Sequence, residues 1–66
     1  MSQLLISIEN PKNNKYNVKV QEAFNYRYLV DDFRFNLDKV DAYRYVDELR
    51  AKYANQYKCY LCTFKY

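Results

Sequence analysis

Residues 38–54, DKVDAYRYVDELRAKYA, decide the fold. Ala42, Tyr45, Val46, Leu49 and Tyr53 recur at helical spacing and form one apolar stripe, the pattern of a helix lying on another layer. Asp38 suits the N-cap, and Asp41 adds favourable charge in the first turn. Glu48 and Lys52 stand at i, i+4, with Asp41–Arg44 and Asp47–Arg50 at i, i+3, spacings that predict ion pairs along the helix. Asn55 is placed to end it in the left-handed conformation.

A lone helix with one apolar stripe needs a sheet to cover it, and the flanks supply strands. Along Gln3–Glu9, Leu4, Ile6 and Ile8 share one face while Ser7 and Glu9 take the other. Asn10, Pro11, Lys12, Asn13 and Asn14 then break the chain, because proline restricts its neighbour and Asn accepts turn conformations. Alternation resumes at Tyr16, Val18 and Val20, so a β-hairpin is expected. At the far end, residues 57–66 read as a closing strand with Tyr60, Cys62, Phe64 and Tyr66 on one face and Tyr57, Cys59, Leu61, Thr63 and Lys65 on the other. Both faces are partly apolar, as in a central strand or one with an exposed apolar row. Residues 22–35 fit either period: Tyr26, Tyr28 and Val30 alternate as in a strand, whereas Ala23, Tyr26, Leu29, Val30 and Phe33 make a helical stripe. Asp31-Asp32 favours a turn. The expected fold is α+β in a single domain, 1–66: a small antiparallel sheet, made by the N-terminal β-hairpin and the C-terminal strand, with one main amphipathic helix over about 38–54 packed on it.

Length and composition bound the function. A chain of 66 residues buries only about 60% of the surface its unfolded form exposes, so its core is thin. No basic, apolar leader opens the sequence and no apolar run could span a bilayer, which points to a cytoplasmic protein with reduced cysteines. The net charge of +3 is unevenly spread: +2 over residues 1–30, −2 over 31–50 and +3 over the last sixteen. That is weaker than the clustered basic stripe of a dedicated nucleic-acid binder. Glycine is absent, which removes the phosphate-cradling loops that need close backbone approach.

No constellation supports catalysis, and the chain reads as a binder rather than an enzyme. Histidine is absent, and with it the commonest general base and metal ligand. Asp47 and Glu48 diverge by about 100° on a helix, so they cannot act as a convergent acid–base pair. Cys59 and Cys62 match C-x-x-C, but on a strand they point to opposite faces, too far apart to bridge. Two thiols give at most half a zinc site, which only a second chain could complete. No cofactor or metal is expected.

Tyrosine carries the functional argument. Nine Tyr and four Phe exceed what so small a core can hold, and Tyr and Arg are enriched at protein interfaces. The candidate protein-binding residues are Tyr43 and Arg44, off the helix stripe, with Tyr26, Arg27, Tyr28 and Tyr60. Loss of Tyr43 or Arg44 is expected to weaken such binding. Lys12, Lys15 and Lys19 on the hairpin, with sheet aromatics beside them, are the candidates for a nucleic-acid-binding alternative. The apolar last strand offers an edge for a homodimer. In size, α+β layout and want of catalytic groups the chain is similar in type to small phage and mobile-element proteins, anti-CRISPR inhibitors and other host-takeover proteins among them. That likeness rests on no diagnostic residues and transfers none. It implies a stoichiometric inhibitor or adaptor whose partner is a larger protein or ribonucleoprotein complex.

Overall fold

A computed structural model describes residues 2–12 and 14–65, and all their side chains but those at positions 11, 12, 64 and 65. Alternation builds the first two strands, β1 (Ser2–Lys12) and β2 (Lys15–Glu22), an antiparallel hairpin. Leu4, Ile6, Ile8, Val18 and Val20 are all buried, and the register sets Ile6 opposite Val20 and Ile8 opposite Val18. Such β-branched cross-strand pairs are a unit of sheet stability. Asn14 turns the hairpin at φ 57°, a left-handed position that Asn tolerates; Asn13, read with it as the turn, lies outside the described residues. Pro11 does not end β1 as its type suggested. The strand continues to Lys12, and the register instead slips between Glu9 and Lys12, an irregularity of the kind that admits a residue with no N–H.

Residues 22–35 form neither the single strand nor the single helix their pattern allowed. Backbone hydrogen bonds fold them into a loop beside β2: Glu22 N–H to Arg27 O at 2.8 Å, Ala23 N–H to Gln3 O at 3.0 Å and Leu29 N–H to Val20 O at 2.9 Å. Tyr28 bridges antiparallel to Gln21. A 3₁₀ turn, Val30–Asp32, follows, and then β3 (Arg34–Leu37), antiparallel to β2. Asn36 at φ 59° kinks this short strand.

The helix, α1 (Lys39–Tyr53), buries Ala42, Val46 and Leu49 and half-buries Tyr45 and Tyr53, the stripe read from the sequence. Its polar details differ. The Asp38 carbonyl accepts Ala42 N–H at 2.8 Å, but its carboxylate caps nothing and takes Lys15 Nζ at 2.8 Å instead. Lys52 reaches Asp32 at 2.7 Å rather than Glu48, and among the described residues neither Asp41–Arg44 nor Asp47–Arg50 pairs. Exposed pairs on a helix contribute too little to hold two long side chains together. Asn55 stays out of the left-handed region; Ala54 keeps helical angles and Gln56 N–H bonds Tyr53 O at 3.0 Å, a tightened last turn that satisfies a terminal carbonyl.

β4 (Tyr57–Lys65) lies beside β1, from Ser2 opposite Tyr57 to Asn10 opposite Lys65, and runs parallel to it. The sheet, in order β3-β2-β1-β4, is therefore mixed and not antiparallel throughout as expected. The two antiparallel pairings make β3 run with β1, α1 carries the chain back, and β4 then runs with β1 too; a crossover helix is what parallel pairing requires. β4 is an edge strand, not a central one. Tyr57, Cys59 and Leu61 pack against the core under α1, and alternation puts Tyr60 and Cys62 on the other side of the sheet. Among the described residues no helix is long and apolar enough to cross a membrane.

Candidate functional site

The core takes aliphatic side chains almost exclusively: Leu4, Ile6, Ile8, Val18, Val20, Ala42, Val46 and Leu49. The aromatics are displaced to its margin or to solvent. Five of them fall between residues 24 and 35, at Phe24, Tyr26, Tyr28, Phe33 and Phe35. Phe24 is 93% exposed, Tyr26 70%, Val30 65%, Tyr28 57% and Phe35 54%. Phe33 links two of them edge to face, with its ring centroid 6.0 Å from Tyr28 and 6.2 Å from Phe35. Scattered exposed apolar residues need no explanation, but so many on one loop form a ridge of the kind that serves as a candidate interaction surface. An open groove of about 780 Å³ runs beside its start, lined by Ser2, Gln3, Ala23, Phe24 and Tyr26.

The ridge is held in shape from two sides. Within the loop, Asn25 Oδ1 accepts Arg27 N–H at 3.1 Å and Gln21 Nε2 donates to Tyr26 O at 3.2 Å. Tyr26 sits at φ 57°, a left-handed position costing a residue with a Cβ about 1–2 kcal/mol. A bulky ring kept there while facing water gains little from folding, and strain of this kind concentrates at functional sites. Tyr26→Gly is therefore expected to leave the unfolding free energy unchanged or to raise it by up to about 1 kcal/mol, since relief of strain offsets glycine's extra chain entropy. Denaturant unfolding checks this; a loss above about 1 kcal/mol would mean that the ring packs.

On the helix side the anchor is Asp32, only 7% exposed. Its Oδ1 accepts Lys52 Nζ at 2.7 Å, its Oδ2 accepts the Tyr53 hydroxyl, and its carbonyl accepts the Tyr45 hydroxyl at 2.6 Å. Burial opposes ionisation of this carboxyl, but the hydrogen bonds from Lys52 and Tyr53, with the charges of Lys52 and Arg34, outweigh it and hold the pKa below the usual aspartate value. Asp32 in turn raises the Lys52 pKa through their hydrogen bond. Burial first, and then the hydrogen bond to Asp32, raise that of Tyr53. The Arg34 guanidinium donates to Asp31 O at 3.0 Å and to Phe33 O at 2.7 Å, and lies 5.1 Å from the centre of the Tyr45 ring. A second tie joins the loop to β4: Tyr57 donates to Glu22 Oε1 at 2.7 Å, which lowers the Glu22 pKa. These groups partner one another, and Asp32 is held far from the pKa near neutrality that suits a general base. They form an anchor. Reading Asp31-Asp32 as a turn was sound for the backbone, but nothing in the pair announced a buried carboxylate.

Of the residues singled out from the sequence, Tyr26, Arg27 and Tyr28 stand exposed on this loop. Tyr43, 39% exposed, and Arg44 lie on the outer side of α1, and Tyr60, 38% exposed, is on the far edge strand with Lys58 Nζ 5.8 Å from its ring centre. Phe24, Val30, Phe33 and Phe35 were not singled out, although aromatics alternating at 24, 26, 28 and again at 33, 35 with no long strand to pair them were the available signal. For the nucleic-acid alternative, Lys15 is paired with Asp38 at 2.8 Å and Lys19 with Glu9 at 2.9 Å, while the Lys12 side chain lies outside those described. Both hairpin lysines whose side chains are described are thus ion-paired. Cys59 and Cys62 are free thiols, each half-buried, and among the described residues no three His, Cys, Asp or Glu side chains are grouped to hold a metal. No family model matches the chain, and comparison with curated proteins and with solved structures found no match.

Proposed function

We propose that this domain is a protein-binding module that acts stoichiometrically, as an inhibitor or adaptor, by docking the aromatic ridge Phe24–Phe35 on a larger protein. The observation that carries the reading is the exposure of Phe24, Tyr26, Tyr28, Val30 and Phe35 on a loop whose backbone is already fixed by hydrogen bonds. Rigid rings on a preorganised loop add contact area while little entropy is lost on binding. The weakly basic ends of the chain and the ion pairs of Lys15 and Lys19 favour this reading over a nucleic-acid one.

The test is capture from cell lysate with tagged protein, with and without nuclease, followed by affinity measurement on the recovered partner. Phe24→Ala and Tyr28→Ala are each expected to weaken binding by about 2 kcal/mol, roughly thirtyfold, the effect of losing an interface anchor. Both rings are largely in water, so the circular dichroism spectrum and the melting temperature are expected to hold. Binding that survives both substitutions would remove the ridge from the interface. Recovery that vanishes with nuclease would make nucleic acid the ligand.

A further inference from the structure

The two edges of the sheet are treated differently. β3 is four residues long, breaks register with β2 between Tyr16 and Val18, and is kinked at Asn36; short, irregular edges resist further pairing. β4 has none of these devices. It runs nine residues in unbroken register with β1 and contains no proline; its two charged residues, Lys58 and Lys65, stand near its ends, and residues 59–64 between them carry no charge. Its helix-side residues Tyr57, Cys59 and Leu61 belong to the margin of the core but are only half-buried, so the apolar layer under α1 runs out to this edge unfinished. A long edge in unbroken register with an uncharged centre is a template for another strand.

We propose that the strand it pairs with is β4 of a second copy of this chain, antiparallel about a two-fold axis at Leu61. A two-fold interface must be self-complementary, and this sequence is. With Leu61 on the axis, Tyr60 of one copy lies opposite Cys62 of the other, Cys59 opposite Thr63, Lys58 opposite Phe64 and Tyr57 opposite Lys65. Positions 58 and 65 are set neither against each other nor against themselves, so no like charges stand directly opposed, which would be unfavourable. Odd and even positions keep their faces, so the half-buried Cys59 and Leu61 of the two copies continue one core layer across the axis, and a sheet of eight strands results. The Tyr28–Phe35 part of each aromatic ridge is left free, because it lies beyond β2 at the opposite edge; Phe24 and Tyr26 stand beside Ser2 and Gln3 of β1.

Sedimentation velocity of the full chain over a wide concentration range is expected to show a reversible species of twice 8.1 kDa that dissociates on dilution. Phe24→Ala, on the ridge, is expected to leave that equilibrium unchanged. Thr63→Cys in a Cys62→Ser background places a thiol opposite Cys59 of the second copy. Mild oxidation is expected to give a covalent dimer whose peptide map joins positions 59 and 63; within one strand these are too far apart to bridge. A single 8.1 kDa species at every concentration would overturn the proposal and leave the edge to a foreign strand. A dimer that the Thr63→Cys variant fails to lock, or that Phe24→Ala abolishes, would overturn it equally by placing the contact elsewhere.

Discussion

Replacing Leu49 with alanine is expected to unfold the domain. Leu49 is 2% exposed at the centre of the helix stripe, in one cluster with Val46, Ala42 and the strand residues Leu4, Ile6, Ile8, Val18 and Val20. Truncating a buried leucine costs about 2–5 kcal/mol, the lost transfer free energy plus that of the cavity left behind. A domain of this length holds only about 3–5 kcal/mol in total, so the substitution consumes most or all of it. The far-ultraviolet circular dichroism spectrum and a thermal scan read the result directly. Arg50→Ala, one position along on the exposed side, is expected to change stability by no more than about 0.5 kcal/mol. A Leu49→Ala variant that melts like the parent would mean that this face of α1 is not the one packed on the sheet.

The second large effect is expected at Asp32, and it depends on pH. Asp32→Ala removes the acceptor of the Lys52 and Tyr53 hydrogen bonds and is expected to cost about 2–3 kcal/mol at neutral pH, the range for charge-assisted bonds at a largely buried site. Because the folded pKa lies below the unfolded one, the carboxylate's contribution is fully present above the unfolded value, near pH 4. It is lost as pH falls through the folded pKa. The stability gap between parent and variant should therefore be constant from neutrality down to about pH 5 and then shrink as the solution becomes more acid. Urea unfolding of both proteins at a series of pH values measures the gap. A difference that stays the same into strong acid would show that the carboxylate's charge has no part in holding the loop to the helix.

These expectations separate what local pattern encodes from what assembly adds. The α1 stripe, the hairpin core residues Leu4, Ile6, Ile8, Val18 and Val20, and the closing strand at 57–65 were legible because period 3.6 and period 2 are properties of the chain itself and survive into the fold. Tyrosine surplus likewise announced an aromatic surface. Its location did not follow, since an amphipathic ring at Tyr43, Tyr60 or Tyr26 is equally plausible until the neighbours that could cover it are placed.

Direction and partnership were decided in three dimensions. That β4 runs parallel to β1 depends on where α1 returns the chain, which no residue in β4 specifies. Lys52 has a sequence neighbour at Glu48 and a spatial one at Asp32; the spatial one wins because a largely buried carboxylate gains more from the ion than an exposed one does. Residues 22–35 carry both periods at once, and the choice fell to Asp32, Tyr45, Tyr53 and Lys52, drawn together from two segments. Local pattern was enough to set the class of fold, its aliphatic core and its surplus of rings. Which rings stand in water was settled by packing, because that depends on which surfaces the helix and the neighbouring strands leave uncovered.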